Sequence, residues 1–333
     1  MNALFSVDGL DGTKESSERY SLQRALQKKF ENVFYIDGSY PLKNQRGLYF
    51  SIIRELNRNS NLINNHYNSL LRKHEVKLLT KIPSSSLELF ISINQFHSKE
   101  FIALLKEKYP NIKTVLFMWD MYETTNIRTT ISEYDHVFSF DPVDCEKHGL
   151  IFRPSFYVEQ ASSEAKVGKN IDLYYLGQFK NKERYTTLVS LYDHCRKLGI
   201  NSDIRLYVNK KKIDKSFSHP IITNRKISYQ YNLSLSERAR VILELNLEKQ
   251  AGLTIRSLEC LFAKCKLITN NKHIKEYDFY NEQNIFVLNT DQDIKKIPLD
   301  FFTSPYQEPN PTVLSRYSTD GFIDEILFKI GLN

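Results

Sequence analysis

Residues 241–269 read VILELNLEKQAGLTIRSLECLFAKCKLIT. The stretch opens on a predicted strand, Val241–Leu245, and closes on another, Lys266–Thr269, each built on an apolar centre. Between them lies a polar loop, an Ala251–Gly252 step and a segment predicted to be helical over Thr254–Lys264, with Thr254 as its N-cap. Two such strands joined through one helix call for a parallel sheet, because only strands covered on both faces can be apolar at consecutive positions.

The same rhythm runs outward in both directions. Upstream, strands are predicted at Ala3–Val7, Val33–Ile36, Val76–Leu79, Leu87–Ile93, Thr114–Trp119 and Val137–Phe140. Helices are predicted over Ser16–Phe30, Gly47–Lys73 and Ser98–Lys108, the last closed by Pro110. After a polar, small-residue stretch at Gln160–Asn170, read as a linker, strands follow at Leu173–Leu176, Ile204–Val208, Ile227–Tyr231 and Ile285–Leu288. Helices fit Arg184–Leu198 and Ser234–Arg238, and an amphipathic helix, Thr319–Ile330, follows a loop holding Pro305, Pro309 and Pro311. The expectation is an α/β chain of two Rossmann-like domains facing each other across a cleft. The first spans 1–156 and the second 157–312, with the segment 313–333 packing back on the first. In such sheets ligands sit at the carboxyl ends of the strands.

A length of 333 residues suits two domains of ordinary size. Hydrophobic residues make up 41% and charged residues 26%, which excludes a disordered chain. The balance of 46 Lys+Arg against 39 Asp+Glu gives a net +7, suited to an anionic ligand, a nucleotide or an acidic membrane surface. The densest basic run, Lys210–Lys212, is short, so no nucleic-acid partner is expected. Cys145, Cys195, Cys260 and Cys265 lack metal-site spacing and read as reduced, buried thiols. With no signal-peptide pattern and no apolar run of spanning length, the expected location is cytoplasmic. The basic stretch Arg46–Lys73 adds the expectation of peripheral contact with the inner membrane. No G-x-G-x-x-G follows a strand, which argues against a dinucleotide oxidoreductase.

The loop-to-helix step carries the first chemistry. Gly252 lets backbone approach a ligand, free N–H groups at the Thr254 end point at an anion, and Arg256 has the fork that matches a phosphate. Glu259, one turn on, suits two ribose hydroxyls. The same spacing also makes Arg256 and Glu259 an i,i+3 ion pair.

A series of segments resembles a bacterial glycosyltransferase family of GT-B fold, the lipopolysaccharide-core and capsular-polysaccharide type with spore-maturation-like relatives. It comprises VLFMWDMYE (115–123), YDHVFSFDPVDCEKHGLIFRPSFY (134–157), LYYLGQFKNKER (173–184), QAGLTIRSLECL (250–261), KLITNN (266–271) and YDFYNEQNIFVL (277–288). The likeness covers roughly residues 110–290. It implies transfer of a sugar from a nucleotide-sugar donor to a surface glycan or glycolipid acceptor, with donor-binding residues Gly177, Gln250, Gly252, Leu253, Thr254, Arg256 and Glu259. Many retaining GT-B enzymes carry two glutamates eight positions apart here; Glu259 matches the second, but the first falls on Ala251, so an inverting transfer is expected. A non-catalytic sugar-nucleotide or glycan-binding protein of the same fold is the alternative.

Inverting transfer needs a base for the acceptor hydroxyl. Asp8, in the loop VDGLDG with Gly9, Asp11 and Gly12, and Asp120, directly after the strand VLFMW, are the candidates; turn chemistry or helix capping would explain either residue equally. Asp141 and Asp144 read as helix-capping residues. Asp291–Gln292–Asp293 spells D-x-D, but it follows a strand where a helix cap belongs. His97, His136 and His148 have no spaced partner. No metal or other cofactor is expected, the nucleotide-sugar being substrate, and the Thr254 helix end with Arg256 is expected to take the leaving diphosphate charge.

Overall fold

The computed structural model describes residues 1–7, 18–37, 75–80, 82, 86–95, 97–124, 131–158, 168–209, 219–247 and 249–332. The chain divides into two compact units, one of Met1–Pro154 with Phe322–Asn333 and one of Ser155–Gly321.

In the first unit, strands β1 (Asn2–Val7), β2 (Asn32–Asp37), β3 (Leu89–Ile93), β4 (Lys113–Met118), β5 (His136–Ser139) and β6 (Ile151–Phe152) form a sheet in the order β2-β1-β3-β4-β5-β6. Every pairing is parallel. All five residues of β3 are buried, as are the last five of β1 and of β4, the pattern of strands covered on both faces. Helices α1 (Glu18–Gln27), α2 (Lys99–Lys108) and α3 (Pro142–His148) pack against it. Ser98 caps α2 by accepting from the Phe101 N–H at 3.2 Å. Asp141 caps α3, Pro142 opens it, and Gly149 ends it with a left-handed φ of 66° that favours glycine. Leu4, Phe90, Phe101, Leu105 and Leu116 lie in one buried cluster of this unit.

The second unit holds β7 (Ile171–Gln178), β8 (Ser202–Tyr207), β9 (Ile222–Thr223), β10 (Ala239–Glu244), β11 (Lys266–Thr269) and β12 (Ile285–Val287). They form a second six-stranded parallel sheet in the order β12-β11-β10-β7-β8-β9. Helices α4 (Lys182–Lys197), α5 (Tyr229–Arg238), α6 (Ile255–Phe262), α7 (Leu299–Thr303) and α8 (Pro311–Arg316) belong to it. Leu173, Leu188, Leu191, Val241, Ile268 and Phe302 are among the residues of its main core. All four cysteines are free and buried.

Helix α9 (Thr319–Lys329) begins in the second unit, and from Phe322 onward it is part of the first. There the Phe322 ring meets Phe117 edge-on at 4.7 Å. Arg153 is fully buried, with its guanidinium over the Phe322 ring at 5.3 Å and its Nε 3.1 Å from Glu325 Oε2. Lys329 meets the other Glu325 oxygen at 3.0 Å and donates to the Phe152 carbonyl at 2.8 Å.

Two expected strands are helical. Residues 75–79 form a helical turn, because a four-residue apolar run does not by itself distinguish strand from helix. In place of a strand over Ile227–Tyr231, Ser228 caps α5 by accepting from the Tyr231 N–H at 3.2 Å, and the neighbouring strand is β9. The expected helix Gly47–Lys73 lies outside the described residues.

Candidate functional site

In the second sheet the chain runs from β7 outward through β8 and β9, then returns to lay β10 on the other side of β7. The loops after β7 and β10 therefore diverge, and a crevice opens at their carboxyl ends. A pocket of about 500 Å³ lies there, walled by the segments that follow β7, β10, β11 and β12. Lys180, Asn181 and Arg184 come from the first of these, Asn246 and Gln250 from the second. Asn270, Asn271 and Lys272 come from the third, Asn289 and Thr290 from the fourth. The wall is cationic and rich in amides. Lys180, Arg184 and Lys272 bring positive charge against the carboxylate of Glu183, while Asn and Gln side chains both donate and accept hydrogen bonds.

Each wall is held by identifiable bonds. Asn181 caps α4, accepting from the Arg184 N–H at 2.9 Å, so the first-turn N–H groups and the positive end of a 16-residue helix lie at the pocket. Arg184 Nη2 donates to the Leu245 carbonyl at 2.8 Å, tying the segment after β7 to the segment after β10. Asn270 grips the backbone of Asn246 from both sides, its Oδ1 accepting from the Asn246 N–H at 2.7 Å and its Nδ2 donating to the carbonyl at 3.3 Å. Buried Asn271 donates to the Ala251 carbonyl at 3.0 Å and fixes the loop ahead of α6.

Glu244, at the end of β10, is 3% exposed and organises the same region. Its carboxylate accepts from the hydroxyls of Thr254, of Ser257 at 2.6 Å and of Thr269 at 2.5 Å. It thereby joins β10, the start of α6 and the end of β11.

The sequence-predicted donor residues fall into two groups. Gln250 lines the pocket. Thr254 caps α6, accepting from the Arg256 N–H at 3.1 Å, and Leu253 is buried beneath the loop. Gly252 lies in that loop, its carbonyl accepting from the Gln250 side chain at 3.5 Å. Gly177 is the penultimate residue of β7, where a Cβ would collide with the hydroxyl end of the buried Tyr175. Arg256 and Glu259 do not line this pocket. Arg256 donates to Asn232 Oδ1 at 3.2 Å and to the Leu176 carbonyl at 3.4 Å, and its Nε stands 3.7 Å from Glu259 Oε2. The i,i+3 pair is formed. Asn232 also accepts from the Tyr174 hydroxyl at 2.9 Å, and burial pushes that phenol up, so it stays a donor.

In the first unit, Asp120 follows β4, is exposed, and accepts from Asn94 Nδ2 at 2.9 Å. Asn94 sits at the end of β3 with a φ of 51°, a left-handed conformation that asparagine tolerates. Asp8, Asp11 and the two glycines beside them lie outside the described residues. Asp141 caps α3, and Asp144 accepts from the Tyr122 N–H at 2.7 Å. His97, read as isolated, is buried within a chain of side chains: its Nε2 is 2.7 Å from the Ser6 hydroxyl and its Nδ1 3.1 Å from Glu75. Asp293 of the D-x-D tripeptide is committed to a cap. It accepts from the Asn289 and Thr290 N–H groups at 2.9 Å each and from Lys296 at 2.7 Å. Among the described residues, no group of three or more His, Cys, Asp or Glu side chains is arranged to hold a metal ion.

Sequence reasoning assigned no role to Lys180, Arg184, Asn246, Asn270 or Lys272; the first four were quoted only within longer segments. The available signal was positional, since each stands one to six residues past the end of a strand of one sheet.

No protein-family model matches the chain, and no curated protein sequence matches it. Solved structures do. The apo form of the lipopolysaccharide outer core galactosyltransferase WaaB superposes with a TM-score of 0.55 at 9% identity, over 99% of this chain and 100% of that one. The kitacinnamycin glycotransferase gives 0.49 at 9% identity, over 98% of each chain. An α-glucosyltransferase in complex with UDP and DNA gives 0.46 at 12% identity, over 99% of this chain and 98% of that one. The chain therefore has the α/β fold of GT-B glycosyltransferases, with two doubly wound units.

Proposed function

We propose that the chain is a GT-B glycosyltransferase that moves a sugar from a nucleotide-sugar donor to a surface glycan or a lipid-linked acceptor. The observation that carries the reading is the cationic, amide-lined pocket at the point where the second sheet reverses its strand order. A nucleoside diphosphate matches it chemically: Lys180, Arg184, Lys272 and the first turn of α4 meet phosphate oxygens, and the amides meet hydroxyls and ring edges. In the transfer, the acceptor oxygen bonds to the anomeric carbon as the bond from that carbon to the diphosphate breaks. The diphosphate leaves with the electron pair, and the cations of the pocket stabilise its charge. Asp120 takes the acceptor proton. The transfer is read as inverting, from Ala251, and as proceeding on side-chain cations and helix N–H groups without a metal.

The test is a thermal-shift screen of nucleotide sugars on the full chain. A ligand at 100 times its Kd adds about 2.7 kcal/mol of stability. Arg184→Ala is expected to weaken nucleoside diphosphate binding by about 1.5–3 kcal/mol, the worth of a hydrogen bond to a charged group. Arg256→Ala is expected to weaken it less, since that guanidinium is spent on Asn232, Leu176 and Glu259. Absence of any nucleotide-sugar response sinks the reading. Transfer to an added acceptor, followed by product analysis, separates the enzyme from a binding protein of the same fold. Peripheral contact with an acidic membrane stays part of the proposal; among the described residues no helix is long and apolar enough to cross a membrane. Flotation with anionic against neutral vesicles checks it, binding to anionic vesicles alone being expected and falling as salt rises.

A further inference from the structure

We infer that Asn246 is the residue of this pocket that holds a pair of neighbouring hydroxyl groups on the donor, and so decides what part of the donor sits beside the cations. The inference rests on the nucleotide-sugar reading above and names a residue and a chemistry that reading leaves open.

Asn246 follows β10 by two residues and lines the pocket beside the Arg184–Leu245 tie. It is 9% exposed. Its backbone is fully held, since the Asn270 amide takes both its N–H and its carbonyl. Its side chain is not: neither Oδ1 nor Nδ2 has a hydrogen-bond partner among the described residues, and both atoms are buried. A buried amide left without partners is costly, and native structures rarely keep one without a reason. A clamped backbone and a buried, unsatisfied amide at a residue that lines the pocket are the arrangement of a group that takes its complement once a ligand enters and the side chain turns to it.

The chemistry of that complement follows from the amide. Nδ2 only donates and Oδ1 only accepts. An ionised phosphate oxygen accepts and cannot donate, so a phosphate would leave Oδ1 unfilled. The phosphates already have Lys180, Arg184 and Lys272. A hydroxyl both donates and accepts, and two on adjacent carbons satisfy both ends of the amide at once. Such a pair occurs on the ribose and on the transferred sugar, and the experiment separates the two.

Titration calorimetry of the full chain, wild type and Asn246→Ala, is run with inorganic pyrophosphate, UDP, GDP, their 2′,3′-dideoxy counterparts, UDP-glucose and GDP-mannose. For whichever nucleotide the wild type binds, Asn246→Ala is expected to weaken binding by about tenfold or more, and to leave pyrophosphate within about twofold. A loss seen with the ribonucleotide and absent with its dideoxy counterpart assigns the ribose; a loss confined to the sugar conjugate assigns the transferred sugar. Either supports the inference. An equal loss on pyrophosphate, a loss that persists with the dideoxy nucleotides, or no loss with any probe overturns it, the last leaving Asn246 to water alone. A wild type that binds no nucleotide overturns the nucleotide-sugar reading and the inference with it. Asn246→Leu, similar in size and without hydrogen-bonding atoms, guards against a folding artefact. It keeps the backbone clamp, and the inference requires it too to lose the nucleotide by about tenfold while unfolding no lower than the wild type.

Discussion

Asp120 and Asp293 show how differently two carboxylates at strand ends are used. Asp120 is exposed and accepts from the Asn94 amide. The proposed role as base is tested by removing the carboxylate. Asp120→Asn preserves size and polarity but cannot take the proton, so turnover is expected to fall roughly 10²–10⁴-fold while donor affinity holds. Steady-state transfer assays beside calorimetry on the same variant check this; near-normal turnover removes Asp120 from the role. Asp293 is instead saturated by the Lys296 ammonium and by the Thr290 and Asn289 N–H groups, which together depress its pKa from 3.8 to about 2. A carboxyl whose folded pKa lies below its unfolded value stabilises the fold above the unfolded value, and that stability disappears as pH falls through the folded one. The wild type should therefore lose its advantage over Asp293→Asn between about pH 4 and pH 2. Parallel urea titrations across that range measure it, and a constant gap between the two proteins would sink the account.

Among the elements, legibility followed the apolar runs. Lys266–Thr269 was readable to the residue, because the β-branched and apolar Leu267–Ile268–Thr269 stand between a helix end and the polar pair Asn270–Asn271. Thr254 was readable as a cap because its role depends only on the two residues after it. The element α5 (Tyr229–Arg238) was misread at its start: Ile227, Tyr229 and Tyr231 are good strand formers, and the cap at Ser228 was passed over. Most of the pocket wall was hidden for a different reason. Gln250 belongs to a stretch singled out in the sequence, whereas Lys180, Asn246, Asn270 and Lys272 meet only when the carboxyl ends of separate strands are laid side by side. No local spacing encodes that. Glu244 is the hinge of the arrangement, and its three hydroxyl partners come from positions 254, 257 and 269. Glu244→Ala leaves the buried hydroxyls of Ser257 and Thr269, and the half-buried one of Thr254, without their acceptor. It is expected to cost about 3 kcal/mol or more of stability and to abolish nucleotide binding, read from denaturant midpoints and calorimetry on the same preparation.

At the scale of the molecule, the first unit is assembled from both ends of the numbering. Arg153 is fully buried, and the partner that offsets its charge, Glu325, stands 172 positions later on α9 (Thr319–Lys329). Removing that partner strands a buried guanidinium, so Glu325→Ala is expected to destabilise the protein by about 3–5 kcal/mol. The double variant Arg153→Met/Glu325→Leu should recover most of the loss, because well-packed apolar replacements of a buried pair are often neutral. Guanidinium unfolding of the set decides it, and a double variant no better than Glu325→Ala would contradict the assignment. The arrangement also sets a clock during translation. Met1–Pro154 leaves the ribosome long before Phe322, Ile323 and Ile326 exist to cover it, and at about 5–20 residues per second the delay is on the order of ten to thirty seconds. Through that interval Phe117 and Arg153 lack their neighbours, while Ser155–Gly321 emerges and can collapse on its own. The half of the protein made first is thus the half finished last, and its nascent surface is where a chaperone would be needed.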